Sequence, residues 1–576
     1  MSVKTSGMKR KSNSILWVLG VAGWTTLFFL PILHGEFLHW DDQALFVENP
    51  YFRGLGPSHW QWMCTTFLLG HWQPLSWLSY AVDYKIWAMN PQGWHATNLL
   101  LHSVNAVLVY LSCLSFFGGR KEQSRMAAAL AALFWAIHPL RGEPVAWLAT
   151  RGYLLCTTFC LLTLLLYLRA VGRSRYPLAA LLCFALASGT KGIGMMLPPV
   201  LLLVDWVLLR RVTSVRTACS CTIEKIPFFG ISLLTGLAAF WSKHLHGGMA
   251  SVEQYGLRER FGQAIYGIWF YLLKTITPHN LSPLYYQRPE AGPVMVALVL
   301  AVTTVIFLFL FRRNFRPVIF ALSAFLLLVF PMLGFTQSGA QMVADRFTYL
   351  AAVPFSVLLA VGLNRLTAFR RTVFTALAVL LIIFGVQTFI WSGVWSDSLL
   401  LWHHSATAGG GDARAYNGMG QALMDRKAYT KSIECFDQAL RLKPNYAAAL
   451  QNRALARIET GEYRKAFEDV GAALSMEGLS KVDQVKMRLG QGRIAEHLGL
   501  TDQVLVAYSA VIDDPAVDPF WKIQALQMRA RIYLERGHLA QGRLDLEAVL
   551  RLPDPTDEYQ SRVRRVLAEL KKIPEE

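Results

Sequence analysis

The sequence predicts an all-helical protein in two parts: a polytopic membrane bundle of about eleven spans, followed by a solenoid of stacked helix pairs. Three observations carry this. Hydrophobic residues make up 54% of the 576 positions and charged residues 16%. Apolar runs close to the ~20 residues that cross a bilayer recur through the first 400 positions. From Gly409 the chain becomes Gly-rich, then polar, helical and repeating. A chain of this length exceeds what one hydrophobic core organises, so two or more domains are expected.

The first span follows Lys4, Lys9, Arg10 and Lys11. Its apolar part, 15–33, is too long for a signal peptide and lacks a small-residue cleavage site, so it reads as retained, with a cytoplasmic N-terminus. A long stretch, 34–97, then lies outside. Further spans at 98–117, 126–137, 153–168, 177–187, 195–209 and 226–241 alternate with basic loops. Arg120, Lys121 and Arg125, then Arg169, Arg173 and Arg175, then Arg210, Arg211 and Arg216 mark the cytoplasmic side. The segment 261–276 reads as a re-entrant or interfacial helix, because a full span there would put Arg312, Arg313 and Arg316 outside. Spans near 294–311, 317–334, 350–364 and 374–391 complete the count. An odd number returns the tail to the side of the loop 34–97.

That loop is aromatic and amphipathic, with Trp60, Trp62, Trp72, Trp77, Trp87 and Trp94. Such a segment belongs at the bilayer surface, where amphipathic rings prefer to sit. The plainer reading is a passive membrane-facing loop. The net charge of +18 is spent on span flanks, and no zinc-finger, recognition-helix or RNA-stacking pattern accompanies it, so nucleic acid is not an expected partner. The eight cysteines form no disulfide framework, and Cys219 and Cys221 are too few for a metal site.

The tail carries Tyr416, Met419-Gly420, Leu423, Ser432, Phe436, Ala439 and Pro444, which is the spacing of a tetratricopeptide unit. Ala454, Gly461, Tyr463, Ala466 and Ala473 repeat it. Looser third and fourth units follow at Gly492, Gly499, Tyr508 and at Ala530, Tyr533, Gly537. The expected organisation is a membrane domain at 1–398, a linker at 399–412, about four repeats at 413–556, and a capping helix and tail at 557–576. A solenoid's concave face normally binds a protein or peptide. The plainer alternative is that it only scaffolds the membrane part.

The candidate chemistry gathers at the outward ends of the spans. Asp41 and Asp42 open the external loop, and His71, Asp83, His95, His138, Arg141, Glu143, Arg151, Lys191, Arg346 and Tyr349 lie at matching depth. Acids and cations at one depth suit a substrate that is anionic at one end and transfers a group at the other. A positioned, ionised carboxylate can take the proton of an attacking hydroxyl. Arginine and lysine can neutralise a departing phosphate. The acidic pair leaves room for a divalent cation, but two carboxylates are not a complete site. Asn98, His102 and Asn105, at helical spacing, are expected to hydrogen-bond between helices.

Several strings are specific: Trp40-Asp41-Asp42, Gly70-His71-Trp72-Gln73-Pro74, Trp94-His95-Ala96-Thr97-Asn98, His138-Pro139 with Glu143 and Val145-Ala146-Trp147, and Asp345-Arg346-Phe347-Thr348-Tyr349. Together with the repeats they resemble the TMTC family of transmembrane and tetratricopeptide-repeat proteins and its bacterial relatives. The resemblance implies a GT-C glycosyltransferase fold. It also implies transfer of a sugar from a polyprenyl-phosphate donor to an acceptor hydroxyl, with Asp41 and Asp42 in the place of the acidic catalytic motif. Protein O-mannosylation is the activity it suggests, on the external or lumenal face, with the repeats recruiting the acceptor. The donor phosphate is then expected among Arg141, Arg151, Lys191 and Arg346, with His71, His138, Glu143 and Tyr349 as further candidates. Two departures stand out. Arg141-Gly142-Glu143-Pro144 replaces Val-Glu-Ser after the His-Pro of many relatives, and Lys191-Gly192-Ile193 replaces Lys-Glu-Ser. The short chain and few repeats point to a bacterial inner-membrane member with periplasmic repeats. The alternative from another class is a non-catalytic membrane scaffold. A transporter is disfavoured, because no inverted repeat of interrupted spans is evident.

Overall fold

The computed structural model describes residues 2–116, 121–245, 256–285, 302–303, 316–335, 341–366, 370–408, 411–477, 479–553 and 558–570. Among them the protein is helical and carries no strand, only an isolated bridge between Tyr285 and Val343. The chain divides into two compact units. One holds Met1–Val47 and Gly54–Asp397, the other Glu48–Arg53 and Ser398–Glu576.

The first unit begins with α1 (Ser2–Phe28), α2 (Pro57–Thr65), α3 (Pro74–Trp87), α4 (Pro91–Ser115), α5 (Glu122–Ala136) and α6 (Gly142–Ala146). It continues through α7 (Arg151–Val171), α8 (Leu178–Ser188), α9 (Leu197–Leu203), α10 (Val215–Glu224), α11 (Ile226–Leu245) and α12 (Leu257–Ile276). Helices Arg316–Val329, Val353–Arg365 and Arg370–Val394 follow. The helix α4 is central and packs on α1, α3, α5 and α7. Its polar line explains why. Asn98 Nδ2 donates to the Val145 carbonyl at 3.1 Å and Asn105 Nδ2 to that of Leu154 at 3.0 Å. His102 pairs its Nε2 with the Ala136 carbonyl at 3.0 Å and its Nδ1 with the Tyr349 hydroxyl at 2.8 Å. Hydrogen bonds of this kind fasten helices where apolar burial gives little preference between partners. Close approach of α5 to α4 follows from its buried alanines, Ala127, Ala128, Ala131 and Ala132.

Among the described residues, four helices are long and apolar enough to cross a membrane: Pro91–Ser115, Leu148–Val171, Ile226–His244 and Arg370–Val394. A fifth is counted if Asp345–Ala351 and Val353–Arg365, bent by 53°, form one broken span. The protein is an integral membrane protein. The expected count of about eleven is not confirmed by the helices long and apolar enough to span among the described residues. The apolar helices Leu178–Ser188, Gly192–Leu208 and Arg316–Met332 are short. The second of these is a mix of 3₁₀, α and π turns around Pro198 and Pro199. The expected span 294–311 lies outside the described residues apart from 302 and 303. The segment 261–276 lies within the 20-residue helix α12, which is not among the four and buries Arg260, Gln263 and Lys274. In the stretch 34–97, α3 buries Trp77, Tyr80 and Asp83 and exposes Ile86 and Trp87, an amphipathic split.

The second unit holds four helix pairs among the described residues: Ala413–Asp425 with Tyr429–Leu442, Ala447–Glu459 with Tyr463–Leu474, Lys481–His497 with Thr501–Ile512, and Pro519–Glu535 with Leu539–Arg551. The helix Glu558–Leu570 packs on the last pair. The third pair, weak in sequence, is built like the first. A Cβ on Gly420 would lie 2.4 Å from the Phe436 ring, and one on Gly492 would lie 2.3 Å from the Tyr508 ring, so in both pairs an aromatic side chain requires glycine opposite it. Arg453 and Arg529 bridge to Asp469 and Asp545 at 2.6 and 2.8 Å, again within a pair. Glu48–Arg53 belongs to this unit: Lys486 pairs with Glu48 at 2.7 Å and the Tyr51 hydroxyl donates to Asp518 at 2.6 Å. Where a linker is expected at 399–412, the chain forms the helix Ser398–Ala408, which buries Leu401 and Trp402 and packs on Ala413–Asp425. The apolar residues needed for that contact were present in the stretch but masked by the glycines that follow.

Candidate functional site

Asp41 and Asp42 open a short helical turn that runs into a π-helical segment, Gln43–Val47. Although adjacent, the two acids are used differently. Asp42 is fully buried, and both its oxygens accept backbone amides: Oδ2 from Leu38 at 3.0 Å and Oδ1 from Ala149 at 3.1 Å. It therefore ties the stretch 34–97 to the turn before α7. Asp41 is half-buried and, among the described residues, makes no hydrogen bond; its charged neighbours are Arg346 and Lys191. Beneath the pair, Trp40 stacks on Trp147 at a centroid separation of 4.3 Å, and Trp147 on Trp395 at 5.9 Å.

Burial pushes the proton affinity of both carboxyls up. Asp42 reaches about 8, the neighbouring Asp41 charge adding to burial while the two amides pull it back. For Asp41, burial is opposed by the positive charges of Arg346 and Lys191. Adjacent carboxylates resist ionising together, and of the two Asp41 is the one with cations beside it.

Arg346 follows Asp345 in a 3₁₀ turn. Its Nη1 pairs with Glu143 Oε1, its backbone N–H donates to Glu143 Oε2 at 2.9 Å, and its Nη2 donates to Gln341 at 2.5 Å. The guanidinium lies over the Trp147 ring at 5.4 Å. Lys191 sits on the turn after α8, which is held to the start of α3. Leu75 N–H donates to the Gly189 carbonyl at 2.9 Å, and Ser76 Oγ to that of Thr190 at 2.8 Å. The Lys191 ammonium is 3.4 Å from Gln73 Oε1 and 5.5 Å from the Tyr153 ring centre. Burial, then the charge of Arg346, brings its proton affinity down to about 7, against the pull of Asp41. If Lys191 binds an anion in the protonated form, kcat/KM for the proposed transfer falls as pH rises through about 7, since that ratio reports the free enzyme. In Lys191→Arg the group stays charged, and the pH profile on its alkaline side is expected to flatten.

The remaining candidates are placed as follows. Arg151 is committed internally: it pairs with Asp83 at 2.6 Å, donates to Asn98 at 2.7 Å and to the Trp94 carbonyl at 3.0 Å, and lies over Tyr80 at 4.8 Å. His138 is buried with both nitrogens engaged, by the Thr275 carbonyl at 3.1 Å and the Leu140 amide at 3.2 Å. Burial lowers its proton affinity to about 3, so it is neutral. Tyr349 joins His102 and Asn105 in the core. Arg141 is buried between Trp135 and Tyr349 and donates to Thr348 at 3.0 Å. Arg151 is thus enclosed with partners of its own, whereas Nε and Nη1 of Arg141 are buried without a hydrogen-bond partner among the described residues. Glu143 orients Arg346, and His71 is half-buried at the turn closing Leu68–Gly70. The residues that converge are Asp41, Lys191 and Arg346. Gln73, Trp147, Tyr153 and Gln341 border them. Gln73 and Trp147 stand inside the quoted motifs, but a selection by charge passes over them.

Among the described residues no group of three or more His, Cys, Asp or Glu side chains gathers to hold a metal ion. With Asp42 bound by two amides, the acidic pair offers one free carboxylate, which does not fit a divalent cation's need for oxygen ligands. A cavity of about 230 Å³ lined by Arg169, Arg173, Arg175 and Tyr176 lies at the opposite end of α7 from Arg151.

Residues 413–446 match the tetratricopeptide repeat family. A Caenorhabditis elegans protein named protein O-mannosyl-transferase F38B6.6 is 22% identical over 465 residues, 76% of this chain and 64% of that one. The chain is thus similar, over about three quarters of its length, to a protein of that name. Human protein O-mannosyl-transferase TMTC1 is 24% identical over 508 residues, 77% of this chain and 57% of its own length. The chain thus spans less than two thirds of either relative. A crystal structure of ArnT from Cupriavidus metallidurans bound to undecaprenyl phosphate covers 79% of both chains at 13% identity and a TM-score of 0.33.

Proposed function

We propose that this TMTC-like protein is a membrane glycosyltransferase of GT-C type that moves a sugar from a polyprenyl-phosphate donor to an acceptor hydroxyl, mannose on a protein being the favoured pair. The observation that carries this reading is the convergence of Asp41, free of hydrogen bonds among the described residues, with Lys191 and Arg346. Similarity to relatives named protein O-mannosyl-transferases supports it. The acceptor oxygen attacks the anomeric carbon opposite the phosphate, and its proton passes to the Asp41 carboxylate. The bond from that carbon to the phosphate oxygen breaks with its electron pair on the oxygen. The departing lipid phosphate thereby gains one negative charge, which Arg346 and Lys191 offset. The configuration inverts. The reaction takes place on the outer face, periplasmic in a bacterial cell, where the repeats bind the protein acceptor.

Full-length protein in liposomes containing a polyprenyl-phosphate mannose donor is expected to label a co-purifying or added protein with mannose. Repeats that capture protein while no polyprenyl-phosphate sugar is consumed would favour the scaffold reading instead.

A further inference from the structure

Lys243, one turn from the outer end of α11, was not among the sequence candidates. The face of α11 that bears it is fixed by close contacts. A Cβ on Gly192 would lie 3.8 Å from the Ala239 Cβ, and Ser232 Oγ donates to the Met195 carbonyl at 2.8 Å, so α11 packs along the turn that follows Lys191. Ala239 and Lys243 are four residues apart and share that face. On the loop side, a Cβ on Gly70 would lie 4.0 Å from both Cα and Cγ of Lys243, which places the lysine stem against the turn carrying His71. Gly70 has φ +72°, a conformation that favours glycine. Lys243 is half-buried and, among the described residues, has no acidic partner. Its charge is one of those that disfavour the protonated form of Lys191.

Two other cations of this unit are paired with acids. Lys225 meets Asp205 at 2.5 Å, and Arg211 meets Asp205 at 3.0 Å and Glu224 at 2.8 Å. At the outer face Glu143 is taken by Arg346, and Asp41 has Arg346 and Lys191 beside it, which leaves Lys243 with no carboxylate of its own among the described residues. Two ammonium groups brought together without matching acids leave an uncompensated positive charge, which an anionic ligand relieves.

We propose that Lys243 holds the phosphate of the departing lipid and binds the product, a phosphate monoester, more strongly than the donor. The proposal rests on the transfer reaction above. A sugar-phosphate diester carries one negative charge, and its loss of the sugar leaves a monoester that carries up to two. A second lysine beside Lys191 matches the added charge. It would favour the bond-breaking step and be felt most in product binding.

Equilibrium binding of radiolabelled undecaprenyl phosphate to the full-length protein in detergent, together with the donor KM, tests this. Lys243→Met is expected to weaken undecaprenyl phosphate binding about tenfold, which corresponds to ~1.4 kcal/mol, while donor KM changes less than about threefold. Lys243→Arg is expected to bind within about threefold of wild type. Unchanged binding in Lys243→Met, equal losses in the Met and Arg variants, or competition by inorganic phosphate as effective as by the lipid would each overturn the assignment. Wild-type protein that transfers sugar but has a Lys243→Met variant with unaltered product binding rejects Lys243 alone. Wild-type protein that binds no undecaprenyl phosphate rejects the underlying reading of the site.

Discussion

Asp41→Asn lowers the transfer rate about 10²–10⁴-fold with little change in the thermal unfolding midpoint, the span expected when a positioned base is lost. The substitution removes the charge that Arg346 and Lys191 face, and it disturbs no hydrogen bond of Asp41 among the described residues. Asp42→Asn behaves differently. One of the two amides, from Leu38 or Ala149, must then meet the carboxamide nitrogen instead of an oxygen. An unsatisfied buried donor costs about 1–3 kcal/mol, so this variant loses stability and, as the loop loosens, activity with it. Parallel melts and initial rates on the two purified variants separate the roles. Equal stability losses in both would mean that the acids form one structural unit.

Arg346→Lys is the second large effect: kcat falls about 10²–10³-fold, with a smaller change in donor KM. The guanidinium is fixed here by two contacts, one with Glu143 and one with Gln341, and it lies over Trp147. A lysine ammonium retains a charge but neither the fork nor the stacking surface, so the charge is no longer held where negative charge develops. The kcat and KM split is the readout. A rise in KM with unchanged kcat would place Arg346 in ground-state binding and away from the departing phosphate.

Much of the fold was legible because its signals are local. Apolar runs, basic flanks and the 34-residue shift from Ser432 to Ala466 each fall within a short window. Asn98, His102 and Asn105 declared themselves by spacing on one face of α4, and their hydrogen bonds between elements follow from it. Span number was less legible, since hydropathy does not reveal where Pro198 and Pro199 break a helix into short turns. The site was half legible. Motif strings drew attention to the stretches around Asp41 and Arg346, but a string cannot say whether a charge faces a cleft or a partner. Arg151 is matched by Asp83, 68 positions earlier, and His138 by a carbonyl of α12, and both pairings are set by tertiary packing. Asp41 and Asp42 are neighbours in sequence, yet the amides of Leu38 and Ala149 assign them separate work.

The most direct test of the central claim, that Asp41 acts as the base and not as a ligand for the donor, is the donor dissociation constant of Asp41→Asn. It would be measured on the full-length protein beside its single-turnover transfer rate. The account predicts donor binding within about threefold of wild type, with transfer reduced about 10²–10⁴-fold. Donor binding lost in proportion to transfer, or transfer that proceeds at the wild-type rate, would contradict it.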